Sequence, residues 1–403
     1  MLGLDKDRPS PASIAALRAR FVCETEIDRI LTRKMSLRAG AGYAPQTLAT
    51  LVAGTAALIR AHFGADFSIS QARWLTGGAS KLQMAFMLDW AVAGGARQQT
   101  PMVLRMQPAE SLVESSRRRE FEVLAALQGV VPIPAVYWND ADAKYLPYPA
   151  IVYGFVVGVT KPRDAASQAS GMGTQMASKW RLSLGPQFVS CLARVHQQAI
   201  DHAALPSFDF PAAGTASIDL ALNHWERVWE EDADEDVPLM RLAAGWLRRH
   251  QPSCAKPVLL HGDYRMGNFL FTEHDARITA ILDWEMARIG DHHFDLAWAM
   301  HPAYGALAAD GKTLLVGGLL PAAEFLARYA HESGLAVDPV TLHYYKIFRG
   351  WVQGVIALGT AWRVAHNAKS HQDVQAAWIV GIGPMLLAQL RDLMAQADGE
   401  PQV

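Results

Sequence analysis

The chain changes texture at one place, near Gly158, and that change limits its fold more than any other feature. Between residues 67 and 157, short apolar runs alternate with glycine-marked turns. Runs 67–75, 82–90 and 102–106 are separated by Thr76-Gly77-Gly78-Ala79-Ser80 and Gly94-Gly95, a pattern that predicts an antiparallel meander. A charged helix over 115–127 interrupts it, with Glu120, Leu124 and Leu127 at i, i+4 and i+7, so that the carboxylate borders the apolar face. Strands are predicted again at 135–138 and 150–157. Beyond Gly158 the periodicity is helical in 186–200, 221–231, 239–250, 319–331, 340–364 and 374–394. A turn-rich stretch, 257–295, holds two short apolar runs, 258–260 and 278–282. Residues 13–64 also read as helical, with a break at 40–45. Strands first and helices later predict an α+β chain of two lobes. The expected division is a helical N-terminal extension (1–64), a small antiparallel-sheet lobe with one helix (65–157) and a larger, mainly helical lobe (158–403).

Composition narrows the class of function. Lys plus Arg number 37 against 39 Asp plus Glu, so no overall field exists to hold nucleic acid or an anionic membrane. The start is polar, with Asp5, Lys6, Asp7 and Arg8, and lacks the pattern of a signal peptide. No apolar run reaches the roughly 18 residues of a membrane span. Cys23, Cys191 and Cys254 are widely spaced and odd in number, which fits neither a disulfide framework nor a zinc site. A cytoplasmic protein with no nucleic-acid or membrane partner is expected.

The densest polar segment is His261-Gly262-Asp263-Tyr264-Arg265-Met266-Gly267-Asn268, followed fifteen residues on from Asn268 by Asp283-Trp284-Glu285. Phosphoryl transfer from a nucleotide needs a carboxylate to orient the attacking hydroxyl, a second carboxylate and an amide oxygen for Mg²⁺, and a cation on the phosphates. Asp263 and Asn268 have the spacing of a kinase catalytic loop, and Asp283 ends the next strand-like run, where such a scheme places its main metal ligand.

These segments, with Gly290-Asp291-His292-His293-Phe294-Asp295-Leu296-Ala297, resemble the aminoglycoside-phosphotransferase-like kinases, small-molecule relatives of the protein kinases. Within that family the resemblance is to the branch fused to, or acting beside, acyl-CoA dehydrogenases. It runs from about residue 67 to the C-terminal helices and implies a protein-kinase-like two-lobed fold using ATP and Mg²⁺. It implies Asp263 as catalytic base and Asn268 and Asp283 as metal ligands. Around this core, the turn with Gly77, Gly78 and Ser80 falls where backbone N–H groups approach the phosphates. Lys81 stands where relatives often carry Asn. Arg105 takes the third-strand position that is lysine in protein kinases, with Glu120 as its expected partner, although composition alone makes Glu120 a solvated member of a charge run. Tyr153 and Phe155 lie at the expected interlobe hinge, where adenine meets mainly backbone.

Glu285 is open between a second metal and a backbone contact. Asp295 is expected to brace the catalytic turn or cap the next helix, and His292 and His293 to serve turn and helix-start roles rather than bind metal. One rival reading joins His261, Asp263 and His301 as a non-haem iron triad; another is a nucleotide-binding pseudokinase without turnover. The branch resembled points to a hydroxylated carboxylic acid or hydroxyacyl-CoA as acceptor, and to a functional link with an acyl-CoA dehydrogenase. An aminoglycoside or macrolide is the alternative. Lys346, Arg349, Arg363 and Lys369, in a stretch (342–371) without Asp or Glu, suggest an anionic or apolar acceptor.

Overall fold

Three helices lead the chain in the computed structural model, which describes residues 5–75, 81–91, 95–163, 173 and 176–398. These are α1 (Pro11–Arg20), α2 (Thr25–Leu37) and α3 (Leu48–Phe63). Hydroxyl caps start two of them: Ser10 accepts from the Ser13 N–H and Thr47 from that of Thr50. The three do not pack as one extension. Helix α3 lays Leu51, Leu58 and Ile59 against the sheet residues Met84, Leu104 and Val152, whereas α2 buries Ile27, Ile30 and Leu31 in the main core.

The sheet comprises β1 (Phe67–Trp74), β2 (Leu82–Ala91), β3 (Arg97–Met106), β4 (Val136–Asp140) and β5 (Ala150–Gly154), with α4 (Arg117–Ala126) inserted after β3. Its order is β1-β2-β3-β5-β4, antiparallel throughout. Register places Arg105 opposite Gln83 on one side and Ile151 on the other. The side chain at 105 leaves the sheet toward α4, where it pairs with Glu120. After β5 the chain is fastened to the second lobe by a two-way bridge between Val159 and Phe271. Gly158 is needed for that approach, since a Cβ there would lie 2.8 Å from Leu270 and Thr279.

The larger lobe contains α5 (Ser178–Gln197), α6 (Ala216–Asp232), α7 (Pro238–Arg249), then β6 (Val258–Leu260), β7 (Phe269–Thr272), β8 (Arg277–Ile281), β9 (Arg288–Gly290) and α8 (His293–Ala299). Strands β6 and β9 pair, as do β7 and β8. A small sheet of β10 (Ala306–Leu307), β11 (Leu314–Val316) and β12 (Leu320–Pro321) precedes α9 (Ala322–Ser333) and α10 (Pro339–Gly354). One wider helical stretch, Val355–Thr360, links α10 to α11 (Ala361–Asn367), and α12 (Asp373–Gly381) and α13 (Gly383–Asp398) complete the chain. The architecture is the two-lobed kinase arrangement. No helix among the described residues is long and apolar enough to cross a membrane.

Helix α2 is held to α6 by buried ions. Lys34 lies 3.1 Å and Arg38 2.7 Å from Asp232, and Thr360 also donates to that carboxylate. Burial opposes the charge on Asp232, but the two cations outweigh it and hold the carboxyl well below its usual range. A depressed acid contributes stability that is complete above its unfolded value and lost as pH falls through the folded one. Urea titrations at stepped pH should therefore show a stability loss setting in below about pH 4, and Asp232→Asn should be less stable at neutral pH with a shallower acid slope.

Candidate active site

After β6 the chain reverses at Gly262, whose φ is 85°; a Cβ there would lie 2.4 Å from the Met286 carbonyl oxygen, so only glycine fits. The turn is braced from α8. Asp295 accepts from the His261 N–H at 2.7 Å and the Gly262 N–H at 2.9 Å, and it is itself paired with His196 at 3.1 Å. Its place in the first turn of α8 makes this brace the exact point where helix and loop meet. Asp263 is thereby presented with its carboxylate fully addressed: Arg265 Nε lies 2.9 and 3.0 Å from its two oxygens, Asn268 Nδ2 2.7 Å from one, and Trp298 Nε1 2.5 Å from the other. Three donors converging on one carboxylate fix its orientation.

Tied to this loop, a second set of charges is interlocked. The Leu282 N–H donates to the Asn268 carbonyl, and His261 Nε2 contacts the Leu282 carbonyl at 3.0 Å, tying the two segments together. The next residue, Asp283, has left-handed backbone (φ 68°, ψ 53°) that turns its side chain off the strand direction. Arg105 pairs with Asp283, with Glu285 at 3.0 Å and with Glu120 at 3.2 Å. Lys81 sits 3.2 Å and Arg117 3.5 Å from the same Glu285 oxygen, and Arg117 also pairs with Glu120. Three cations thus face three carboxylates in a buried layer between the lobes. Burial alone would raise the Asp283 pKa, but Arg105 beside it holds the carboxyl at about 2. Burial lowers the Lys81 pKa, with Glu285 opposing the shift.

The donor set fits a hard divalent cation. Asn268 spends both amide hydrogens on Asp263, at its carbonyl and its side chain, which leaves the amide oxygen, and Asp283 supplies a deprotonated carboxylate. Asp263, Asn268 and Asp283 are therefore brought together, as are Arg105 and Glu120. Glu120 is 2% exposed, which removes the solvated-charge reading. Tyr153 is buried on β5, and the Phe155 N–H is already bonded to the Pro101 carbonyl, so it offers no donor at the hinge. Gly77, Gly78 and Ser80 lie outside the described residues.

Four contacts were not anticipated: Lys81 and Arg117 on Glu285, and Arg265 and Trp298 on Asp263. Trp298 stands three residues after Asp295, on the same face of α8, and that spacing was the available signal. The iron triad does not form. His261 accepts from the Asp263 N–H through Nδ1 and meets the Leu282 carbonyl through Nε2, so both ring nitrogens are engaged. Asp291, His292 and His293 do bring three ligand atoms within 4.8 Å among the described residues. Yet His293 Nε2 accepts from the Asp338 N–H, which puts its proton on Nδ1, toward Asp291 at 2.6 Å, where a metal would need a lone pair. Half of the basic tract over 342–371 is spent on structure: Arg363 pairs with Asp7 and Asp234, and Lys369 caps the Gly40 and Ala41 carbonyls.

Fold and site together define a phosphotransferase of the two-lobed kinase type acting on the hydroxyl of a small molecule. Residues 88–335 match the sequence model of the Phosphotransferase enzyme family (APH), and the chain belongs to that family. Acyl-CoA dehydrogenase family member 10 of Mus musculus is 26% identical over 201 residues, 49% of this chain and 18% of the relative. Probable acyl-CoA dehydrogenase IBR3 of Arabidopsis thaliana is 26% identical over 263 residues, 61% of this chain and 31% of the relative. The chain thus spans less than a third of the length of these curated relatives. Among solved structures, a Ralstonia eutropha chain provisionally described as an aminoglycoside phosphotransferase superposes with a TM-score of 0.60 at 21% identity, covering 85% of this chain and 98% of that one. A macrolide 2'-phosphotransferase type I gives 0.50 at 18% identity, covering 80% and 94%. These likenesses establish the shared fold.

Proposed function

We propose that the chain transfers the γ-phosphoryl group of ATP to a small-molecule hydroxyl, with Asp263 as base. The observation that carries this is the Asp263 carboxylate, fixed by Trp298, Arg265 and Asn268 beside the Asp283–Arg105–Glu120 cluster. Asp263 would orient the acceptor oxygen and take its proton, while Arg265 and Trp298 keep the carboxylate from rotating away. Asn268 and Asp283 would hold Mg²⁺, which when bound supplies charge neutralisation on the phosphates. Arg105, oriented by Glu120, would present a planar cation to those phosphates. Against the pseudokinase reading stands the choice of residues: Asp263, Asn268 and Asp283 each carry the side chain that the reaction would need. The test is ADP release by the purified chain with Mg²⁺ and a broad panel of hydroxyl acceptors.

Two finer readings of the acceptor compete. The solved relatives are named for antibiotics, which favours an aminoglycoside or macrolide over a hydroxyacyl-CoA. The hydroxyacyl-CoA reading, and with it a link to an acyl-CoA dehydrogenase, draws on the names of curated relatives matched over a small share of their length.

The Arg105–Glu120 pair gives a test of its own. Arg105→Ala should raise the KM for ATP and lower kcat, together by roughly 10²-fold in kcat/KM, and Glu120→Ala should do so more mildly. The double variant should be little worse than Arg105→Ala, because the residues act through one contact. Strict additivity in steady-state kinetics would separate them.

A further inference from the structure

Helix α2 carries none of the groups placed in the site, yet it is joined to the helix that serves it. Ser116 caps α4: its Oγ accepts from the Arg119 N–H at 3.3 Å. The same hydroxyl donates to the Glu26 carboxylate of α2. A second tie runs beside it, where Arg119 of α4 lies 2.7 Å from Glu24, the residue that precedes α2. Both contacts are buried, with Ser116, Arg119, Glu24 and Glu26 each at most 7% exposed. Burial opposes the charge on Glu26, but Arg29, 2.7 Å away, and the Ser116 hydroxyl outweigh it and hold the carboxyl below its usual range. Glu26 is therefore an acceptor only, and the Ser116 hydrogen is committed to it.

The other end of α2 is bedded in the large lobe. Lys34 lies 2.8 Å from Glu231 and 3.1 Å from Asp232, at the end of α6, and Arg38 lies 2.7 Å from Asp232. Arg227, also on α6, lies 2.6 Å from Asp28. The Asp209 carboxylate accepts from the Thr25 N–H at 2.6 Å, and Asn223 donates to the Val22 carbonyl at 2.8 Å. Ile27, Ile30 and Leu31 are buried in the core that also holds Leu222 and Trp225 of α6 and Val123 and Leu124 of α4. Neither Glu24 nor Glu26 pairs with α6; outside α2 both side chains pair with α4.

The turn of α4 that they hold is the one that reaches the site. Glu120 is 3.2 Å from Arg105, and Arg117 is 3.5 Å from Glu285. Arg105 is thus gripped from two sides, by Glu120 on α4 and by Asp283 and Glu285 of the large lobe. The direction of its planar fork depends on where α4 stands relative to that lobe. The link from α6 through α2 to Ser116 sets that distance. Arg119 and Glu122 also bond Ser207, so α4 stays docked without Glu26, and losing Glu26 changes its position rather than its folding.

We propose that Glu26 is a positioning residue for nucleotide binding: through the Ser116 cap, and seconded by Glu24 on Arg119, it holds α4 where Glu120 aims Arg105 at the phosphates. This rests on the phosphotransferase reading above, and it makes α2 part of the catalytic unit.

The test measures the affinity of the full chain for ATP with Mg²⁺ by calorimetry, with melting temperature and hydrogen exchange of α4 followed alongside. Glu26→Ala should weaken ATP binding by about five- to tenfold and speed exchange in α4. Glu26→Gln still accepts from Ser116 and should recover most of the affinity. Ser116→Asp keeps a capping oxygen but has no hydrogen to give Glu26, so it should reproduce the loss from the other side of the contact. In a Glu120→Ala background the Glu26→Ala effect should largely vanish, because α4 then has no carboxylate to aim at Arg105. A lower melting temperature with unchanged ATP affinity would make Glu26 a stability residue only and overturn the proposal. A Glu26→Ala penalty that persists in full beside Glu120→Ala, or that Glu26→Gln does not relieve, would do the same. Wild-type ATP binding that these variants leave intact sinks the proposal alone, whereas absence of ATP binding by wild type removes the phosphotransferase reading and the proposal with it.

Discussion

Asp263→Asn should lower kcat by roughly 10²–10⁴-fold with a confirmed acceptor, while ATP still binds with Mg²⁺. The reason lies in the donors around it. Both oxygens of Asp263 receive N–H groups, from Arg265, Asn268 and Trp298. An amide would turn one of its own N–H groups toward those donors, losing the proton acceptor and part of the fixed geometry together. Trp298→Phe isolates the second effect. It keeps the carboxylate and removes one donor, so it should cost about tenfold in kcat without the collapse seen for Asp263→Asn. Steady-state kinetics of the two variants, with ATP affinity measured alongside, separates the proton acceptor from its support.

The second large effect is expected at Asp283. Asp283→Ala should weaken Mg²⁺-dependent ATP binding by about a hundredfold or more and flatten the response to Mg²⁺, because the carboxylate that Arg105 holds ionised at the proposed metal site is gone. Arg105 would keep Glu120 and Glu285 as partners, so the protein should remain folded. Asn268→Ala should be milder toward the metal, since an amide offers a dipole where a carboxylate offers full charge. It should nonetheless lower kcat, because the amide hydrogens of Asn268 also hold Asp263. Titrating ATP across a range of Mg²⁺ concentrations resolves the two behaviours.

Much of this arrangement could be read from local spacing. The order of strands and helices, the Asp263–Asn268 interval and the position of Asp283 after an apolar run are short-range patterns, and the fold realises them. Contacts that depend on distant packing could not be read in this way. Residues 1–64 read as one helical extension, yet α2 and α3 serve different lobes, because each apolar face finds a different partner. The helix expected from Pro186 begins at Ser178, so the proline lies inside α5 rather than at its start, where its missing N–H would have cost nothing. Strands β7 and β9 went unread although β6 is no longer than either, since β9 is a strand only through its pairing with the distant β6 and β7 only through its pairing with β8. Lys81, Arg117 and Glu285 meet across the interlobe layer from three separate segments. The charge count over 342–371 treated four cations as equivalent, and only tertiary contacts distinguish Arg363 and Lys369, consumed by the N-terminal segments, from Lys346 and Arg349.

The most direct measurement follows the phosphoryl group itself. With purified chain, Mg²⁺, ATP and a panel of hydroxyl acceptors, phosphorus NMR should show loss of the γ resonance, growth of ADP and a new phosphomonoester signal, all dependent on Asp263. Consumption of ATP to inorganic phosphate alone, or a phosphomonoester that forms equally well with Asp263→Asn, would contradict the account.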